Sequence, residues 1–208
     1  MKRTSTVIIL SVLCLLLSAC GAEGGSGNVP AWNSLTPLSE EELSYATEFS
    51  LTHYSEGLTL LSVSDGERYL IVPESADVPA GLDGDITVLR QPLRNLYLVA
   101  TSAMDLFRAL DAVDCIRLSG LKQNDWYIAE AAGAMERGEL LYAGKYSAPD
   151  YERICQEKCS LAVESTMIYH TPEVKEQLER LGIPVFIERS SYEQNPLGRM
   201  EWMKVHAL

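Results

Sequence analysis

From Leu96 onward, short apolar runs alternate with polar segments of helical length, and this alternation limits the possible folds more than any other feature. Strands separated by helical segments of about ten residues are typical of βαβ units and a parallel sheet. The last predicted helix is the clearest, because Thr171 occupies the N-cap position, Pro172 begins the helix and Gly182 ends it. The predicted strands are LYLVA (96–100), CIRLS (115–119), ELLYA (139–143), SLAVES (160–165) and IPVFIE (183–188), with helices beginning near Ser102, Asp125, Pro149 and Pro172.

Residues 43–95 have a different pattern. Apolar and polar residues alternate through 48–73, and Asp65-Gly66 lies between two β-rich runs, where a hairpin turn is expected. The run DITVLRQP at 85–92 predicts one more strand. We therefore predict an α/β fold with an antiparallel β segment (43–95) followed by a parallel sheet with flanking helices (96–194).

The N-terminal residues predict export. Two basic residues precede an apolar run at 7–17, and the tetrapeptide LSAC ends at Cys20, which predicts a signal peptide over 1–19. LSAC resembles the lipobox of bacterial lipoproteins, so we expect a lipid-modified Cys20 that anchors the protein to the extracytoplasmic face of the cell membrane. An ordinary secretory signal or a short anchor is the alternative. Residues 20–42, rich in Gly, Ser and Pro, are predicted to form a flexible tether.

The net charge of the chain narrows the classes of possible partners. The formal net charge of −12 becomes −14 once Lys2 and Arg3 leave with the signal peptide, which argues against nucleic acid or anionic lipid as a partner. A cationic protein surface or a cationic ligand stays possible.

Three cysteines, Cys115, Cys155 and Cys159, follow the predicted lipid site. Because no further cysteine or histidine pair completes a zinc site, we expect them to be small buried apolar residues.

Catalytic motifs are scarce. The chain has no G-x-G-x-x-G, P-loop or G-x-S-x-G motif, and His53, His170 and His206 are far apart in the sequence. Ser102 and His170 can be combined with an acid into a triad only on paper. The loops expected after the strands are rich in hydroxyl and aromatic side chains, which suit either a binding surface for a sizeable ligand or the capping of helices.

The first turns of two predicted helices contain residues that bear on function or on the extent of the fold. In SAPDYERI (147–154), Asp150 and Glu152 lie in a first helical turn, where acids interact favourably with the helix dipole and where an exposed acid can contact an arginine of another protein. At the other start, Asn195 is a good N-cap and Pro196 begins a helix whose pattern continues to Leu208 without a stop signal.

Four segments of the chain together resemble one known family: YLVATSAMDLFRAL, YAGKYSAPDYERI, LAVESTMIYHTPEVKEQLERLGIPVFIE and SSYEQNPLGRMEW. On these segments, the chain from Leu96 to Leu208 resembles the N-terminal lobe of type III substrate-binding proteins of ABC importers, the cobalamin, siderophore and haem class, in its Gram-positive lipoprotein form. In that family, one long helix joins two α/β lobes that hold the ligand between them. The resemblance implies that 195–208 begin the interlobe helix, that the sequence stops before the C-terminal lobe, and that Trp202, Met203 and Leu208 are exposed.

The resemblance also implies roles. The protein would capture an iron chelate, haem or a corrinoid and deliver it to the permease dimer, without catalysis and without a metal or cofactor of its own. Glu152, in YERI, matches the residue that contacts the permease. An extracytoplasmic α/β hydrolase and a surface lobe without transport function are the alternatives. By their positions at strand ends, the expected ligand residues are Ser102, Trp126, Lys145, Tyr146, Thr166, Met167, Arg189 and Tyr192.

Overall fold

A computed structural model describes residues 29–208, so the predicted signal peptide, Cys20 and residues 21–28 lie outside the described residues. The predicted α/β class is confirmed, with two five-stranded sheets. The strands of the first sheet are β1 (Ser39–Glu40), β2 (Phe49–His53), β3 (Thr59–Val63), β4 (Arg68–Val72) and β5 (Ile86–Arg90), and they neighbour one another in chain order.

The first sheet is antiparallel from β1 to β4, as predicted, but β5 pairs parallel to β4. The predicted turn at Asp65-Gly66 connects β3 and β4. The sequence did not predict the parallel pairing. Residues 73–85 separate the two strands, and a connection of this length lets the chain cross over and return in the same direction.

The second sheet is entirely parallel and contains all five predicted strands, in the order β12-β11-β6-β7-β8. A small antiparallel ribbon, β9 with β10, follows β8. The strands are β6 (Leu96–Leu98), β7 (Ile116–Ser119), β8 (Leu141–Tyr142), β9 (Gly144–Lys145), β10 (Ala148–Pro149), β11 (Ala162–Ser165) and β12 (Val185–Glu188).

The helices begin close to the predicted positions. Near Ser102 and Asp125 the chain first forms a 3₁₀ turn, and the α-helix begins a few residues later. Gly182, at φ +79°, follows the last turn of α4 as predicted, whereas the Thr171 side chain makes no capping hydrogen bond. The helices are α1 (Met104–Ala109), α2 (Ala129–Glu136), α3 (Tyr151–Gln156), α4 (Pro172–Arg180), α5 (Pro196–Glu201) and α6 (Met203–His206).

One core joins the two sheets. Phe49, Leu61 and Ile71 of the first sheet belong to the same apolar cluster as Leu98 and Phe186 of the second. The opposite face of the parallel sheet packs against α3 and α4 in a separate cluster. The predicted boundary between residues 43–95 and 96–194 is therefore a change of sheet within a shared core.

Residues 30–35 contact the first sheet and residues 39–40 form its strand β1, which corrects the prediction of a flexible tether over 20–42 for this part of the chain. The Trp32 ring lies 5.1 Å from the Tyr54 ring, and the Trp32 amide donates to the carbonyl oxygen of Ala80 at 2.8 Å. Trp32 and Leu35 pack against the face of the sheet that points away from the main core. Packing of Trp32 removes apolar surface from water, which a flexible tether does not do. This gain outweighs the flexibility that the Gly- and Pro-rich composition favours.

The C-terminal segment does not project from the fold. It forms two short helices, α5 and α6, that bend at Trp202, and the Trp202 side chain is fully buried with its ring 5.0 Å from that of Phe49. The expectation that Trp202 is exposed is wrong, and Met203 and Leu208 are half-buried. Packing of this segment onto the main core explains the difference, because the largest apolar side chain gains most from burial.

Two carboxylates hold the C-terminal segment against the chain before β2. Glu201 accepts hydrogen bonds from the amides of Ser44, Tyr45 and Ala46 at 2.6–2.8 Å. Glu193 accepts from the amides of Thr47 and Glu48, at 2.9 and 3.0 Å, and from the Trp202 indole at 2.9 Å. Burial alone would raise the pKa of Glu193, but these hydrogen bonds outweigh it and lower that pKa. Together the two side chains occupy five consecutive amides, residues 44–48, and we call this contact the carboxylate clamp.

Candidate ligand-binding site

The loops after β11 and β12 bring four of the predicted residues together. The Thr166 hydroxyl lies 2.8 Å from the Tyr192 hydroxyl, and the guanidinium carbon of Arg189 lies 4.5 Å from the centre of the Tyr192 ring. Met167, next to Thr166, is 43% exposed and Tyr192 is 49% exposed. These residues, with Tyr169 described below, are called the strand-end surface. It exposes aromatic rings and a thioether, and Arg189 contacts the Tyr192 ring from the protein side.

Arg189, one of the expected ligand residues, is paired with acidic side chains of the protein itself. Its Nε donates to Glu48 at 2.9 Å, and one terminal nitrogen lies 3.6 Å from Asp65. Burial opposes the charge of Arg189, but its two acidic partners outweigh burial and raise its pKa. A largely buried cation needs such partners, so its charge is already compensated within the protein. Arg189 supports the Tyr192 ring by a cation–π contact.

Tyr169 belongs to the same surface and was not among the predicted residues. It is 46% exposed, and its hydroxyl donates to Asp65 at 2.6 Å. That hydrogen bond links the loop after β11 to the β3–β4 hairpin. The STMIYH segment belongs to a loop that the sequence predicted at a strand end. No pattern in the sequence indicated that Asp65 contacts this loop in the folded protein.

Ser102 lies in the turn after β6 and is exposed, but its hydroxyl is bonded within the protein. It donates to Glu188 at 3.0 Å, and the other carboxylate oxygen of Glu188 accepts from the Ser190 amide at 2.7 Å. Glu188 is buried. The Ser102 hydroxyl therefore helps to satisfy a buried carboxylate and joins the loops after β6 and β12.

Trp126 is a core residue, contrary to its expected role in ligand contact. It is 9% exposed, lies in the main apolar cluster and donates its indole N–H to Ser119 at 3.1 Å. The short 3₁₀ turn before it directs the chain inward ahead of α2, and the indole gains more from burial than from exposure.

Lys145 and Tyr146 belong to the β9–β10 ribbon, which follows β8 at the far edge of the sheet from β12. Lys145 is exposed and forms no ion pair within residues 29–208. The structure thus divides the predicted ligand residues: Thr166, Met167 and Tyr192 are surface neighbours, while Lys145 and Tyr146 lie apart from them beyond the opposite edge strand.

Glu152 lies on the surface, in the first turn of α3. Asp150 is the N-cap of this helix and accepts from the Arg153 amide at 3.0 Å, whereas Glu152 is exposed and accepts only from Gln156, at 3.1 Å, within the described residues. Its carboxylate is therefore accessible at the surface of α3.

A buried acid lies close behind the strand ends. Both carboxyl oxygens of Glu164, in β11, are buried, and they have no hydrogen-bond partner within residues 29–208. Tyr97 and Tyr151 are the ionisable groups near enough to interact with its charge. Burial raises the pKa of Glu164 to about 8, so the side chain is mostly protonated at pH 7.

The simplest catalytic triad is not assembled. Ser102 donates to Glu188, Ser165 accepts from the Met167 amide, and no hydrogen bond joins either serine to His170 within the described part of the chain. No group of three or more His, Cys, Asp or Glu side chains among residues 29–208 is placed to hold a metal ion.

The cysteines differ from the expectation of burial. All three are free; Cys155 is exposed, while Cys115 and Cys159 are half-buried. Cys155 lies on the outer side of α3, where Ile154 takes the buried position, so the helical periodicity sets its exposure.

Comparisons with known proteins support one part of the sequence prediction. An uncharacterized lipoprotein, MJ0878, of Methanocaldococcus jannaschii is 21% identical over an alignment 239 positions long, which covers 97% of this chain and 56% of that protein. The chain thus spans about half the length of this relative. No protein-family profile and no solved structure matches the chain. The similarity supports a lipid-anchored surface protein, and it carries no information on import or ligand.

Among residues 29–208, no helix is both long enough and apolar enough to cross a membrane.

Glu164 predicts a specific dependence of stability on pH. Because its pKa is about 8 in the folded state and near 4.5 when unfolded, the folded state binds more protons between these values and the free energy of unfolding falls as pH rises. Because glutamine does not ionise, Glu164→Gln removes this fall in the free energy of unfolding. We expect the variant and the wild type to unfold at similar urea concentrations at pH 5, and the variant to be more stable by up to about 4 kcal/mol at pH 8.5.

The control is Glu152→Gln, at an exposed position in a nearby helix, which should show no such divergence. Equal stability of Glu164→Gln and the wild type across the whole pH range would contradict a raised pKa.

Proposed function

We propose that the protein is an extracytoplasmic solute-binding lipoprotein of an ABC importer that captures an iron chelate, haem or a corrinoid and delivers it to the permease dimer. One observation carries the proposal: Met167, Tyr169 and Tyr192 expose apolar surface at the carboxyl ends of two adjacent parallel strands. Ligands of open α/β sheets bind at this edge. The similarity to a lipoprotein supports the extracytoplasmic location.

The chemistry of the strand-end surface suits a large ligand with flat or apolar faces. Aromatic rings and a thioether provide contact area, and the two hydroxyls of Thr166 and Tyr192 provide hydrogen bonds at its edge. Arg189 and Asp65 compensate each other's charge beneath the rings, so recognition rests on shape and apolar contact more than on net charge. Haem and corrinoids have such faces, and the iron chelates of siderophores are ligands of comparable size.

No catalysis is part of the proposal. Capture and delivery need a preorganised surface and a docking contact, and the hydrogen bonds from Thr166 and Tyr169 fix two of the loops that carry the surface. Glu152 supplies the docking contact, because an exposed carboxylate on a rigid helix can pair with an arginine of the permease.

The ligand role is tested by calorimetric titration of the full chain carrying Cys20→Ser, which is not acylated, with hemin, cyanocobalamin and a ferric hydroxamate chelate. We expect one of these to bind and Tyr192→Ala to weaken its affinity about tenfold, because a half-exposed ring leaves the contact. Tyr45→Ala is the matched control, since Tyr45 is 46% exposed but lies beside α5. Equal losses in the two variants, or no binding of any of the three, would overturn the proposed site.

The docking role of Glu152 is tested in cells that depend on the protein for uptake of the bound ligand. Glu152→Ala should lower uptake about tenfold while leaving ligand affinity unchanged, because the side chain lies on the surface of α3 and not on the strand-end surface. Glu130→Ala, at the first turn of α2, is the control and should transport normally. Normal uptake by Glu152→Ala would exclude the contact.

A further inference from the structure

A cavity lies between the two sheets and α6, at the opposite end of the parallel sheet from the strand-end surface. It includes Leu96 and Leu161, at the amino ends of β6 and β11, and its volume is about 610 Å³. Sites for small molecules have volumes in this range. The wall is mainly apolar and includes Leu61, Ile71, Leu89, Phe107, Phe186 and Val205.

Arg94 gives the cavity a cation. It lies on the segment between β5 and β6, is exposed, and has no ion pair within residues 29–208, not even with Glu74, the other charged residue of the wall. Burial and Asp114 raise the pKa of Cys115, and the Arg94 charge acts against them. Because Cys115 also lines the cavity, the field of Arg94 reaches its interior. Arg94 thus places a positive charge, without an ion-pair partner in the described part of the chain, beside an apolar cavity.

His206 adds an unsatisfied polar atom to the same wall. Its Nε2 is buried and has no hydrogen-bond partner among the described residues, and its ring lies 4.8 Å from that of Phe107. Burial lowers the pKa of His206 to about 4, so the neutral ring keeps one donor and one acceptor at pH 7. Buried polar atoms without partners are rare, and the cavity leaves room beside this atom for a water molecule that supplies the partner.

We propose that this cavity binds a single-chain amphiphile with a carboxylate head, such as a long-chain fatty acid. The hydrocarbon chain would lie among the leucine and phenylalanine side chains, and the carboxylate would pair with Arg94 at the rim. The apolar wall accounts for the chain, and the unpaired guanidinium accounts for the preference for an anionic head. This site is separate from the strand-end surface and does not depend on the proposed function.

The test uses the full chain with Cys20→Ser, so that neither an attached lipid nor detergent competes. Fluorescence of cis-parinaric acid should rise on addition of the protein, and palmitate should displace the probe at least about fivefold more effectively than hexadecanol, which lacks the charge. Arg94→Gln should abolish this difference. Arg180→Gln removes the same charge from α4, on the other face of the sheet, and should leave the preference intact.

Two variants block the cavity. Ala207→Trp places a large side chain on its wall from an exposed position, and Ala112→Phe does so from a half-buried one. Each should lose probe binding while circular dichroism and the urea midpoint show an intact fold. Unchanged probe binding by a folded blocking variant, equal displacement by palmitate and hexadecanol, or no fluorescence change with the wild type would each overturn the proposal.

Discussion

The carboxylate clamp is the contact on which the rest of the structure depends. Glu193 and Glu201 bind five consecutive backbone amides, residues 44–48, and these residues lead directly into β2. Ionised acceptors form stronger hydrogen bonds than neutral ones, and amides that are otherwise left without partners gain most from them. The clamp thereby fixes the edge of the first sheet against the segment after β12, and the two sheets can share one core with Trp202 at its centre.

The strand-end surface depends on the same union of the two sheets. Arg189 follows β12, but its acidic partners Glu48 and Asp65 come from the first sheet, and Tyr169 is held by Asp65 as well. The parallel sheet alone would leave Arg189 without counter-charges and Tyr169 without a partner for its hydroxyl. The first sheet is thus a structural component of the candidate site, although no predicted ligand residue lies in it. Because the first sheet supplies these partners, the loops of the strand-end surface are held in position before a ligand binds.

Patterns that act locally were predictable from the sequence. Alternation of apolar runs located every strand of the parallel sheet, and proline and glycine positions located the ends of α4. Contacts between distant segments were not predictable. Trp126 and Arg189 were expected to face a ligand because of their residue type and position, yet one is buried in the core and the other is neutralised by residues more than a hundred positions earlier. Residues 29–42 show the same limit, because Trp32 outweighs a flexible composition.

Hydrogen–deuterium exchange of the full chain, with and without saturating hemin, cyanocobalamin or a ferric hydroxamate chelate, tests the central claim most directly. The account predicts that one of the three ligands slows exchange at the amides of residues 166–169 and 189–192, while the cavity segment at 91–96 is unaffected. Protection confined to 91–96 and 203–208, or no protection with any of the three ligands, would contradict a binding role for the strand-end surface.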